Sequence, residues 1–130
     1  MISFRVDGRS VVPPYLQIVQ QVRQALRMGI LDIGDKLPTV REVVAATAVN
    51  PNTVLKAYRE LERDGLVEPR AGHGTFVVGR PSGPPPGTHS RLASSLAHWV
   101  RGAREAGLDD ESIESLLRIA LRTTAEEEIA

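Results

Sequence analysis

The chain has 130 residues, 42% hydrophobic and 25% charged, the balance of one folded domain with a small appendage. It contains no cysteine, which excludes a disulfide scaffold and a cysteine-ligated zinc finger and fits a reducing compartment. Its 16 Lys+Arg and 16 Asp+Glu cancel overall, yet residues 1–80 carry 11 basic against 8 acidic residues and residues 81–130 carry 5 against 8. The basic excess of the first half suits a polyanionic partner.

The opening residues, MISFRVDGRS, lack the basic start and apolar run of a secretory signal, and no apolar stretch reaches the ~18 residues a membrane helix needs. The expectation is a cytoplasmic protein with no membrane partner.

Ile2, Phe4 and Val6 alternate with Ser3 and Arg5 in the pattern of a short strand. Pro13-Pro14 then opens a helix, since proline is tolerated at the first helical position. Leu16, Ile18, Val19, Val22, Ala25 and Leu26 give that helix one apolar stripe, and Gly29 ends it. Ile30 to Asp35 reads as a turn with Gly34-Asp35 at its corner. A second helix starts at Thr39, which with Glu42 three residues on has the spacing of a capping box, and runs to about Thr47. Asn50 and Pro51 are favoured as the N-cap and first residue of a third helix, whose core face is Val54, Ala57, Tyr58 and Leu61. Gly65 terminates it.

Leu66–Pro69 and Thr75–Val78 read as two short strands joined by Arg70-Ala71-Gly72-His73-Gly74. Residues 80–90 are rich in proline and glycine and read as a partly stiff, extended linker. Leu92, Leu96, Trp99 and Ala103 recur at spacings of four, three and four, and Gly107 breaks the helix they imply. Asp109, Asp110 and Glu111 place negative charge at the start of a last helix, with Ile113, Leu116, Leu117, Ala120 and Leu121 on its apolar face. Glu126-Glu127-Glu128 reads as a frayed, solvated tail.

Helix, turn, helix and hairpin in that order make a winged helix-turn-helix over residues 1–79. The whole chain is therefore expected to be mainly α with a small β-hairpin wing, followed by a two-helix dimerisation segment at 91–130. In such a fold the helix after the turn enters the DNA major groove. Asn50, Asn52 and Thr53 lie in its first turn, with Lys56 and Arg59 beyond them. Short polar side chains at that end reach base edges, and lysine or arginine reaches phosphates or guanine. Arg41 starts the preceding helix, which crosses the DNA backbone. In the wing, Arg70 and His73 flank glycines, Gly74 among them, that let backbone approach a groove. Each of these residues taken singly also fits a duller role, such as a cap or a solvated side chain.

The last two helices are too short to bury their apolar faces alone. Leu92, Leu96, Trp99, Ala103, Ile113, Leu116, Leu117 and Leu121 are thus expected at a homodimer interface, where a small-molecule effector is a variant of the same reading. His73, His89 and His98 have no metal-ligand spacing, and there is no nucleophile motif or phosphate-cradling loop. Neither enzymatic activity nor a metal or cofactor is expected.

Taken together, Pro14-Tyr15 with Gln17-Ile18, Gly34-Asp35-Lys36-Leu37-Pro38, Arg41-Glu42, Asn52-Thr53-Val54, Ala57-Tyr58, Leu61, Asp64-Gly65-Leu66 and Gly72-His73-Gly74-Thr75-Phe76-Val77 resemble the GntR family of bacterial transcription regulators. The short helical tail and the run Asn50–Val54 resemble its YtrA-like branch, whose tail serves dimerisation. The resemblance implies a homodimeric repressor of double-stranded operator DNA, with Arg41, Asn52, Thr53, His73 and Gly74 as contacts. This chain departs from the family pattern at Pro51, where the family often has arginine, and at Leu55, where some members place another DNA-contacting arginine. The competing reading is a protein-interaction adaptor whose winged helix no longer binds DNA.

Overall fold

Pro14 is the first residue of α1 (Pro14–Arg27), where its missing N–H leaves no helical bond unmade. The computed structural model describes residues 2–84 and 86–129. Within them α1 is followed by α2 (Val40–Thr47), α3 (Pro51–Arg63), β1 (Val67–Arg70), β2 (Gly74–Val77), α4 (Pro86–Glu105) and α5 (Asp110–Ile129). The chain is mainly helical with one small antiparallel hairpin, and it forms two compact units, Met1–Ser90 and Arg91–Ala130.

The core of the first unit is built on α3. Val54, Ala57, Tyr58 and Leu61 are buried and meet Ile18, Val19, Val22, Ala25 and Leu26 of α1 and Val43 of α2. Leu66, Val67 and Val77 close it from the hairpin side, and Leu31 and Leu37 from the α1–α2 connection.

Residues 2–6 do not form the strand that their alternation suggested. Phe4 is buried in the core, but the flanking backbone pairs with glutamine side chains of α1 instead of a neighbouring strand. Gln21 accepts from Arg5 N–H (3.0 Å) and donates to its carbonyl (2.6 Å). Gln17 does the same for Asp7, at 2.8 and 2.9 Å. Two residues of extended chain advance about 6.7 Å and four helical residues about 6 Å, so glutamines four apart serve residues two apart.

The hairpin strands lie one residue from their expected limits, because the Leu66 N–H closes α3. Leu66 N–H donates to Leu61 O (3.0 Å) and Gly65 N–H to Glu62 O (3.0 Å), a Schellman closure with Gly65 at φ 76°. Pairing then runs from Val67↔Val77 to Arg70↔Gly74. The segment expected as a plain turn also adds to this sheet. Gly34 and Leu37 N–H donate to Val77 O and Thr75 O (both 2.9 Å), and Val77 N–H donates to Asp35 O (2.8 Å).

Helix α4 starts at Pro86, inside the 80–90 stretch expected to be an extended linker, since proline suits a first helical position as well as an extended chain. Pro85, in the middle of the proline run, lies outside the described residues. In α5 the Asp109 side chain accepts from Ser112 N–H (2.8 Å) at the helix start. That bond holds the Asp109 carboxyl below the usual carboxylate range. Glu126–Glu128, expected as a frayed tail, continue α5 as exposed helix. The two helices do not bury each other's apolar side chains: exposure runs from 42% at Leu116 to 63% at Leu92, and includes Leu96, Trp99, Leu117, Ile119 and Leu121. Ala103 and Ile113 are half-buried.

Gly65→Ala has open space for its methyl but must hold a left-handed backbone. It should cost about 1–2 kcal/mol in urea-induced unfolding, with no loss of helix content at zero denaturant.

Candidate nucleic-acid interface

The start of α2 is fixed twice. Thr39 Oγ1 accepts from Glu42 N–H (3.1 Å), and Glu42 Oε1 accepts from Thr39 N–H (3.3 Å), completing the capping box. One residue earlier, the buried Tyr58 hydroxyl of α3 donates to the Pro38 carbonyl (2.6 Å). Burial, and secondarily the charge of Glu42, pushes the Tyr58 phenol well above its ordinary pKa, so it remains a neutral donor. Arg41 is displayed in the exposed first turn of this anchored helix.

Ala48, in a left-handed conformation at φ 59°, ends α2 and turns the chain towards Asn50. Asn50 Oδ1 accepts from Asn52 N–H (2.8 Å), so its oxygen is committed to capping and its amide hydrogens are left for another partner. With one side of α3 in the core, Asn52, Lys56 and Arg59 stand exposed on the other and Thr53 is half-buried. Lys56 Nζ lies 4.0 Å from the ring centroid of Tyr15 in α1, a cation–π contact that directs the ammonium to one edge of the exposed face.

In the wing, the Arg70 guanidinium lies 4.8 Å from the Phe76 ring centroid, held over the hairpin's own surface. His73 is exposed in the turn, its N–H bonded to Arg70 O (2.9 Å). Gly74, at φ 117°, is where the Lys36 side chain crosses: a Cβ there would lie 2.6 Å from Lys36 Cε. Lys36 is exposed and opposite Phe76 in the sheet. A groove of about 350 Å³ separates α3 from the wing, lined among others by Val40, Leu55, Tyr58, Arg59, Pro69 and Thr75. A larger cleft of about 630 Å³, between the N-terminal segment and α1, contains none of the expected contact residues.

The structure therefore brings Arg41, Asn50, Asn52, Thr53, Lys56, Arg59, Arg70, His73 and Gly74 onto three consecutive elements, α2, α3 and the hairpin. Ion pairs occupy other arginines. Arg23 binds Asp64, and Arg80 binds Asp32, whose carboxyl is lowered first by the Arg80 hydrogen bond and then by the Ile33 N–H. Among the described ion pairs none involves Arg41, Lys56, Arg59 or Arg70, so the basic excess is uncompensated there. Sequence reading missed Lys36 and Tyr15 as members of this surface. Lys36 lies just beyond the turn read at residues 30–35 and meets Gly74 only through the hairpin, and Tyr15 meets Lys56 only once α1 and α3 pack. Among the described residues no group of three or more His, Asp or Glu could hold a metal ion, and no helix is long and apolar enough to cross a membrane.

Comparison with known proteins bears on the same stretch. Residues 14–77 match the family model described as bacterial regulatory proteins, gntR family. The chain is 49% identical over 73 residues to the HTH-type transcriptional repressor YtrA of Bacillus subtilis (strain 168), 56% of each chain, so it spans little more than half of that relative's length. It is 39% identical over 105 residues to the uncharacterised HTH-type transcriptional regulator YhcF of the same strain, 81% of this chain and 87% of that protein. Among solved structures, AraR(DBD) in complex with operator ORX1 superposes with a TM-score of 0.54 at 25% identity, over 60% of this chain and 100% of that one.

Tyr58→Phe leaves the buried Pro38 carbonyl without its donor. Stability should fall by about 1–3 kcal/mol in denaturant unfolding, the penalty of an unsatisfied buried polar group.

Proposed function

The chain belongs to the GntR family of bacterial transcription regulators, and on that premise we propose that it is a sequence-specific repressor binding operator DNA as a homodimer in the cytoplasm. The observation that carries this reading is the exposed face of α3, with Asn52, Lys56 and Arg59 flanked by Arg41 and the wing, and with none of these basic side chains in an ion pair among the described residues. Asn52 and Thr53 enter the major groove with the first turn of α3, while Arg41 sits on a backbone phosphate beside it. Lys56, directed by Tyr15, adds a second backbone contact. Arg70, His73 and Gly74 place the wing at the adjacent minor groove or backbone.

The exposed apolar side chains of α4 and α5 support the dimer, since so many large apolar residues left uncovered on two helices favour an interaction surface. Leu92, Leu96, Trp99, Ala103, Ile113, Leu116, Leu117 and Leu121 are the proposed interface, joined by Ile119. A two-fold dimer reads an inverted repeat with half-sites about one helical turn, ~10 bp, or a multiple apart. Trp99 is the single tryptophan, so its fluorescence reports both dimerisation and any small-molecule effector bound at that interface.

Selection of genomic fragments by the purified protein, followed by footprinting, tests the reading. It predicts a protected inverted repeat, and fragments with no shared sequence would overturn it. Arg41→Ala should weaken operator binding by about 1–3 kcal/mol, with the salt slope reduced by about 1 if the contact is a phosphate. Leu96→Glu combined with Leu121→Glu should sediment as a monomer and bind the full operator about a hundredfold more weakly, through lost avidity.

A further inference from the structure

We propose that Leu55 reads the C5-methyl group of a thymine in the operator's major groove; this rests on the DNA-binding reading and names a specificity determinant within it. Leu55 is an apolar residue on α3 without a place in the core. The core positions of that helix are Val54, Ala57, Tyr58 and Leu61, and Leu55 is neither buried with them nor among the half-buried side chains packed against them. It lines the groove of about 350 Å³ between α3 and the wing.

Four residues on, and so one turn along the same helix, Arg59 stands exposed at that groove. Val40 and Pro69 supply carbon to its other walls, while Glu62 adds a negative charge that disfavours a phosphate inside it. A neutral, apolar occupant fits these walls best. Of the groups that base pairs present in the major groove, only the thymine methyl is apolar. Leu55 thus discriminates by carbon contact at a point where an arginine would select guanine, and Arg59 is left to hold the neighbouring phosphate or base edge.

The test uses the full-length protein and the operator obtained by selection, with each thymine of the half-site replaced in turn by deoxyuridine, which removes only the methyl. One position per half-site should raise Kd for the wild type by about fourfold, the weight of one buried methyl group. Leu55→Ala should bind thymine and deoxyuridine equally at that position while keeping the wild-type unfolding midpoint. Leu55→Met, unbranched but still apolar, should restore part of the discrimination and guards against a folding defect in the alanine variant. If no thymine position is sensitive, or if Leu55→Ala retains the full discrimination, the assignment of Leu55 is overturned and the regulator reading stands. If no operator is selected at all, both fall.

Discussion

Everything in the first unit leans on one side of α3. Its buried residues, Val54, Ala57, Tyr58 and Leu61, are the common floor for α1, α2 and the hairpin, so one 13-residue helix sets the position of all three. The same constraint fixes what remains outside. With four residues committed inward, Asn52, Lys56 and Arg59 are left exposed outside the core. Tyr58 links the two sides, because its buried ring packs in the core while its hydroxyl holds the carbonyl just before α2. A helix display of this kind stays in register with its neighbour only while the core beneath it is intact.

Electrostatics separates scaffold from surface. Arg23 and Arg80 are engaged by Asp64 and Asp32, joining parts of the chain far apart in sequence. Exposed pairs of this kind add little to stability, yet they neutralise charge away from the α3 face. The chain's two lysines are placed differently, one over the Tyr15 ring and one across Gly74. Each side chain is restrained by that neighbour, which lowers the ordering cost of holding a phosphate. Zero net charge on the whole chain therefore coexists with a locally positive face.

The helices were legible because their signals are local. Pro14, the Thr39–Glu42 pair, Asn50-Pro51 and Gly65 each act within a turn of their own position, and the structure places caps or ends at all of them. What the sequence did not disclose depends on partners distant along the chain. Residues 2–6 alternate like a strand, yet whether a neighbouring strand or a glutamine side chain satisfies their backbone is decided by the packing of α1. The stretch 30–35 reads as a plain turn because nothing local reveals that Gly34 and Asp35, with Leu37 beyond them, bond to the β2 backbone. Leu55 stands out only as a departure from the family pattern and Lys36 only as part of the family resemblance, because their place on this surface comes from the groove and glycine beside them. Pro86 fits both an extended linker and a helix start, and composition cannot choose between them.

The central claim is that α2, α3 and the wing together form one DNA-facing surface. Since the chain has no cysteine, Ala71→Cys at the exposed wing turn gives a single attachment point for an iron–EDTA cleavage reagent. On the selected operator the account predicts strand cleavage at two places related by the dyad, each beside a protected half-site. Cleavage spread evenly along the DNA, or no stronger than that by free reagent, would contradict it.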